Sequence, residues 1–111
     1  VKLIQNKALI EHSSDSRFAE AFSRIECHYF TNNGWFDTDN YLIENIDKIR
    51  HIPTVIVHGR YDVVCPVENA WELHKAWPES DLHIIPDSGH AMSEEGIKDK
   101  LIEYTDKFSK L

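Results

Sequence analysis

Hydrophobic residues recur at two different spacings along the chain, and the spacing changes near Pro53. Before Pro53, apolar residues lie three or four positions apart, which is the period of an amphipathic helix. One such set predicts a helix from Arg17 to about Phe30; its members are Phe18, Ala21, Phe22, Ile25 and Tyr29. A second predicted helix begins after Asp39 or Asn40 and carries Leu42, Ile43, Ile46 and Ile49 on one side. The Asn33-Gly34 pair between them predicts a turn.

After Pro53 the pattern changes to short apolar runs that alternate with helical periods. Val55, Ile56 and Val57 are consecutive and β-branched, which is typical of a strand in a parallel sheet. A second short strand is predicted at residues 82–85. A helix opened by Pro66 lies between the strands, with a predicted buried stripe of Val67, Ala70, Trp71, His74 and Trp77. A terminal helix carries Ile97, Leu101, Tyr104 and Phe108. This alternation predicts an α/β fold with parallel strands and crossover helices.

The two halves therefore differ in class: residues 1–50 are predicted to be helical, and residues 51–111 to form a sheet with helices. Two strands are too few for a stable sheet covered on both faces, so we expect neighbouring strands upstream in a longer protein. The sequence also begins with Val1 rather than Met, which favours the same expectation.

Composition excludes several classes of protein. The formal net charge is −7 and the Lys and Arg residues are scattered, so nucleic acid is not an expected partner. No apolar stretch approaches the roughly 20 residues of a membrane helix, and the first residues do not resemble a signal peptide. The two cysteines, Cys27 and Cys65, show no CxxC pattern and favour a reducing compartment, although they could still pair. We expect a cytoplasmic protein.

Two residues that can carry chemistry follow the two predicted strands. Asp62 comes after the first strand and His90 after the second, and ligands bind at the carboxyl ends of parallel strands. The order Asp then His is the second and third step of the Ser-Asp-His order of α/β-hydrolases, in which imidazole is the base and the carboxylate orients it. Taken singly, Asp62 is as well explained as a turn former or a partner of Arg60, and His90 as a surface histidine.

Three segments of the sequence resemble a known protein family more closely than the Asp–His motif alone does. "RIECHYF" (24–30), "HIPTVIVHGRYDVVCPVENAWELHKAWPE" (51–79) and "LHIIPDSGH" (82–90) closely resemble the proline iminopeptidases, serine peptidases with an α/β-hydrolase fold and a helical cap. The resemblance covers residue 16 to the end. It implies the C-terminal part of that fold, with residues 1–50 from the cap and 51–111 from the core, and it implies that Asp62 is the triad acid and His90 the triad base.

The resemblance also implies recognition residues. Glu26 is expected to bind the free amino group of the substrate, and Phe30 to line the pocket for the proline ring. By periodicity alone, Glu26 is better explained as a partner of Arg24 or a lysine on a solvated helix face, and Phe30 as a core residue. The thiol of Cys65 is expected near the site, where thiol reagents would obstruct it.

The sequence departs from the family pattern where the nucleophile should be. None of the four glycines flanks a serine in a Gly-x-Ser-x-Gly elbow, so the chain alone is expected to be inactive and to need the upstream portion of the same hydrolase. No cofactor is implied, and the seven histidines show no HExxH or other metal-ligand spacing.

Two rival interpretations stay open. One is a related hydrolase such as an esterase, and the other a non-catalytic truncated product that self-associates. The expected substrates are peptides with N-terminal proline.

Overall fold

A computed structural model describes residues 2–3 and 16–111, which fall into two compact units. Residues 16–42 belong to one unit, and residues 2–3 belong with residues 43–111 to the other. The predicted boundary near residue 50 between cap and core stays a prediction.

The first helix, α1, spans Ser16–Thr31 and matches the helix predicted from the apolar spacing. Its side chains are almost all exposed within its unit, and none is buried. Phe18 and Phe22 lie one turn apart and stack at a centroid distance of 5.8 Å. An amphipathic helix usually covers its apolar face with another element, so α1 carries an apolar face that residues 16–42 do not cover.

The turn after α1 confirms the prediction made from the Asn-Gly pair. Asn33, Gly34 and Trp35 all have left-handed backbone angles, with φ of 50°, 60° and 59°. A tryptophan in this region is uncommon, because its Cβ crowds the following carbonyl. Its ring packs edge-on against Tyr29 at a centroid distance of 5.0 Å, which offsets part of the backbone cost.

The single helix predicted after Asp39 is wrong in its extent. The structure has a short helix, α2, over Tyr41–Glu44, and a separate 3₁₀ turn over Ile46–Lys48. Asn45 lies between them with φ −109° and ψ 11°, outside the helical region. Asn has a low helix propensity, and one interruption is enough to end a helix only one turn long.

A parallel β-α-β unit follows and confirms the predicted alternation. Strand β1 spans Val55–Gly59, helix α3 spans Val67–Ala76, and strand β2 spans Asp81–Ile85. The two strands pair in parallel from Val55 opposite Asp81 to Gly59 opposite Ile85. Their carboxyl ends therefore lie side by side at one edge of the sheet.

The helix α3 buries part of the stripe predicted for it. Ala70 and Trp77 are buried, whereas Trp71 is 50% exposed, so its predicted burial is wrong. Positions 70 and 71 point about 100° apart around a helix, and only a narrow stripe of α3 meets the two strands.

The last helix, α4, spans Glu95–Phe108 and buries Ile97 and Tyr104. Its second residue, Gly96, lies directly against Ile85 of β2: a Cβ there would come within 2.7 Å of the Ile85 Cγ2 atom. Among the residues that the structure describes, no helix combines the length and apolar character that crossing a membrane requires.

Candidate active site

The loops that leave β1 and β2 are joined to each other by backbone hydrogen bonds. The Arg60 N–H donates to the Ile85 carbonyl at 2.9 Å, and the Tyr61 N–H donates to the Ser88 carbonyl at 3.0 Å. These bonds continue the strand pairing beyond the sheet. Side chains carried by the two loops are therefore held close together.

Gly59 makes this close approach possible. A Cβ at position 59 would lie 2.0 Å from the Gly89 carbonyl oxygen and 2.7 Å from the Ser88 carbonyl oxygen. Both atoms belong to the backbone of the second loop, so no side-chain rotation could relieve the clash. The glycine that ends β1 is thus required by the neighbouring loop.

Asp62 and His90 meet at this edge of the sheet. His90 Nδ1 lies 3.0 Å from Asp62 Oδ2. An ionised carboxylate only accepts hydrogen bonds, so the proton of this bond belongs to Nδ1 and the neutral ring leaves its lone pair on Nε2. The imidazole is 39% exposed and the carboxylate 5% exposed. The arrangement is a buried acid that fixes the tautomer of an accessible base.

The second oxygen of Asp62 is fixed by the loop's own backbone. Oδ1 accepts the N–H groups of Val64 and Cys65, both at 2.9 Å. Burial opposes ionisation of Asp62, but the hydrogen bonds from Cys65, His90 and Val64 outweigh burial and hold the pKa of Asp62 below its ordinary value. The carboxylate therefore stays charged beside the imidazole at neutral pH.

A second histidine, His58, borders Asp62 and was not singled out from the sequence. Its Nε2 lies 2.8 Å from the Cys65 carbonyl oxygen and 3.6 Å from Asp62 Oδ2. Because a carbonyl only accepts, Nε2 of His58 carries the proton, and its ring supports the turn that holds Asp62. The signal available in the sequence was its position at the penultimate residue of a strand that ends at the candidate site.

Cys65 lies beside the pair. Ligand atoms of Asp62, Cys65 and His90 are all within 4.8 Å of one another, and Cys65 is exposed. A carboxylate, a thiolate and an imidazole are a donor set that Zn²⁺ accepts. Nδ1 of His90 already forms the hydrogen bond to Asp62, so an ion that bound this nitrogen would have to replace that bond.

Glu26 and Phe30 lie on α1, in a different compact unit from Asp62 and His90. Both are exposed, Phe30 at 74%. Arg24, the alternative partner of Glu26, pairs instead with Glu20 at 3.7 Å. Within the part of the chain that the structure describes, Glu26 forms no ion pair. Their roles in recognition stay predictions.

Comparison with known proteins decides the family. Residues 10–97 match the α/β-hydrolase fold family. The chain belongs to that family. This confirms the fold class predicted from the strand and helix pattern.

Several relatives confirm the narrower resemblance. A probable proline iminopeptidase of Leptolyngbya boryana is 58% identical over 107 residues, which are 96% of this chain and 33% of that protein. The proline iminopeptidase of Arabidopsis thaliana is 51% identical over 102 residues, 92% of this chain and 27% of that protein. That of Xanthomonas citri is 53% identical over 95 residues, 86% of this chain and 30% of that protein. The chain thus spans about a third of the length of these relatives.

Proposed function

We propose that this chain carries the acid and the base of a serine aminopeptidase that releases N-terminal proline from peptides. The nucleophilic serine and the oxyanion-binding groups come from a part of the same enzyme outside these 111 residues. The proposal is carried by one observation, the hydrogen bond of 3.0 Å between His90 Nδ1 and Asp62 Oδ2 at the carboxyl ends of two parallel strands. The names of the relatives supply the substrate class.

The mechanism follows from the tautomer of His90. Its Nε2 accepts the serine hydroxyl proton while the serine oxygen attacks the carbonyl carbon of the N-terminal proline. The imidazolium then returns that proton to the departing amine, which leaves a prolyl ester on the serine. Water, deprotonated by Nε2, hydrolyses the ester and releases proline. The charged Asp62 stabilises the imidazolium at both stages.

Recognition of the free amino group is assigned to Glu26. A carboxylate that faces an ammonium in a closed site favours substrates with a free N-terminus, because an internal peptide nitrogen has no charge to pair with it. The exposed carboxylate of Glu26 makes no ion pair among the described residues and is therefore available. The ring of Phe30, which residues 16–42 leave uncovered, is suited to contact a proline ring.

The isolated chain has no serine elbow, so it should not hydrolyse peptides. Its two free cysteines fit a reducing compartment, and we place the enzyme in the cytoplasm. Measurable turnover by the purified 111-residue chain would contradict the assignment of the serine to another part of the protein.

The recognition role is tested by Glu26→Gln in the full-length enzyme, assayed with a proline arylamide. In the proposed closed complex the substrate buries its ammonium against Glu26, and loss of a buried charge pair costs about 3 kcal/mol, so kcat/KM should fall on the order of 100-fold. The matched control is Glu20→Gln on the same helix, which removes the partner of Arg24 and should leave kcat/KM within about twofold, as for exposed ion pairs. If Glu26→Gln hydrolyses the arylamide as fast as the wild type, Glu26 does not bind the amino group, and an esterase-like hydrolase becomes the better interpretation.

A further inference from the structure

The loop that carries His90 is held by a buried carboxylate, Glu94. The Oε1 atom of Glu94 accepts the N–H of Gly89 at 3.1 Å and the N–H of Ala91 at 3.2 Å, one on each side of His90. Its Oε2 atom accepts the N–H of Leu3 at 3.0 Å. Glu94 is only 8% exposed.

The side chain of Glu94 does not cap α4. Glu94 is the N-cap residue of α4, yet its side chain makes no hydrogen bond to the N–H groups of its own helix. Capping residues ordinarily direct their side chain to the second or third residue of the helix. The carboxylate is instead committed to the backbone that precedes and follows His90.

The loop before His90 is anchored at Ser88. Ser88 is 2% exposed and its carbonyl bonds to Tyr61, which fixes the loop before Gly89. After that point the chain turns outward, so that the His90 ring is exposed and reaches Asp62. Position 89 is crowded, because a Cβ there would lie 3.3 Å from Glu94 Oε1 and 3.2 Å from the Leu3 nitrogen.

We propose that Glu94 is a positioning residue for His90: its carboxylate clamps the backbone on both sides of the imidazole and so fixes the distance from Nδ1 to Asp62. The inference rests on the proposed peptidase function for its effect on turnover. Its structural part, the clamp on the loop, does not depend on that function.

Two substitutions of Glu94 remove its hydrogen bonds to the loop to different extents. Glu94→Ala removes all three acceptor contacts. Glu94→Gln keeps one carbonyl oxygen for Gly89 and Ala91 but presents an amide to the N–H of Leu3. Since misplacing a catalytic group by about 1 Å can cost about 100-fold, we expect kcat of the full-length enzyme to fall about 100-fold in Glu94→Ala, and less in Glu94→Gln, with KM nearly unchanged. The control Glu95→Gln removes a neighbouring exposed carboxylate and should leave both constants unchanged.

A double-mutant cycle with Asp62→Asn separates positioning from general stability. If Glu94 acts through the His90–Asp62 pair, Glu94→Gln should lower kcat several-fold in the wild type and have little further effect once Asp62 is replaced. A purely structural role would lower the melting temperature and leave kcat per folded molecule unchanged. That result, or full additivity of the two substitutions, would overturn the proposal.

Amide hydrogen exchange distinguishes failure of this inference from failure of the proposed function. In the folded Glu94→Gln protein, the amides of Gly89 and Ala91 should exchange faster than in Glu95→Gln, and the Nδ1 proton resonance of His90 should weaken. If the wild-type enzyme releases no proline, the function fails, and these two readouts alone decide the positioning role. Unchanged exchange and an unchanged Nδ1 resonance would overturn it.

Discussion

The sheet carries two aspartate–histidine pairs, one on the loops at its carboxyl end and one on β2 near its amino end, and the pairs differ in burial and in the bonding of the imidazole. At the carboxyl end, Asp62 is 5% exposed and bonds to Nδ1 of His90. At the amino end, Asp81 is 54% exposed and lies 3.2 Å from Nε2 of His83. One Asp–His pair therefore lies on the loops that follow the strands, and the other lies within a strand.

The two pairs differ most in whether the second ring nitrogen of the imidazole is engaged in a hydrogen bond. Nε2 of His83 lies 2.7 Å from the Tyr104 hydroxyl, which in turn donates to Asp81. That nitrogen is therefore engaged in a hydrogen-bond network that links β2 to α4. Among the described residues, Nε2 of His90 forms no hydrogen bond, and its ring is exposed. A pair of this kind is a candidate for catalysis when one ring nitrogen is fixed and the other is free at the end of a strand.

The largest expected effect separates the two pairs by turnover. Asp62→Asn in the full-length enzyme should lower kcat on the order of 10⁴-fold, because an amide that donates to Nδ1 favours the wrong tautomer. Asp81→Asn should change kcat by less than about threefold, since exposed pairs contribute little and Asp81 lies at the other end of the sheet. Steady-state kinetics with a proline arylamide measure both. Equal losses in kcat in the two variants would show that the two pairs do not differ in their role.

The next effect concerns the backbone that brings Asp62 and His90 together. Gly59→Ala should destabilise the protein by about 3 kcal/mol, because the new methyl group meets the Gly89 and Ser88 carbonyls. Gly96→Ala is the matched control. It also introduces a close contact, with an Ile85 methyl group, but the gain in helix propensity of about 1 kcal/mol offsets part of the cost. Denaturant unfolding of both variants gives the comparison. A Gly59→Ala protein as stable as Gly96→Ala would show that the loops can separate without loss.

The sequence predicted the contact at the carboxyl end of the sheet, between Asp62 and His90, but not the contacts at the amino end. Asp62 and His90 were recognisable because each follows a short apolar strand, and parallel strands bring their carboxyl ends together. His58 and Glu94 were not recognised. The contact from Glu94 to Leu3 joins residues 91 positions apart, and no local pattern encodes such a contact. Exposure of Trp71 was missed for a related reason, since it depends on which part of α3 the strands cover.

The smallest expected effect lies at the amino end and depends on pH. The hydrogen bond to Asp81 raises the pKa of Tyr104 to about 12. Ionisation of Tyr104 abolishes this donor, so the contribution of the Tyr104–Asp81 hydrogen bond to stability is complete below the ordinary tyrosine pKa of about 10 and is lost as the pH rises through about 12.

The contribution of Asp62 to stability depends on pH in the opposite sense. Its lowered pKa contributes stability above the ordinary value, and this contribution is lost as the pH falls through the folded-state value.

Tyr104→Phe therefore should lower the melting temperature by a few degrees at neutral pH and flatten the loss of stability on the alkaline side, with kcat unchanged. Thermal unfolding across the alkaline range measures this. A variant that keeps the full alkaline dependence would show that other groups produce it, and a fall in kcat would connect the amino end to the chemistry.

The protonation state of His90 in the full-length protein tests whether its Nε2 can act as the base. The ¹⁵N chemical shifts of labelled histidine distinguish a ring protonated at Nδ1 from one protonated at Nε2. The hydrogen bond of 3.0 Å to Asp62 predicts the neutral Nδ1–H tautomer for His90, lost in Asp62→Asn and retained in Asp81→Asn. A neutral His90 protonated at Nε2 in the wild-type protein would contradict its assignment as the base.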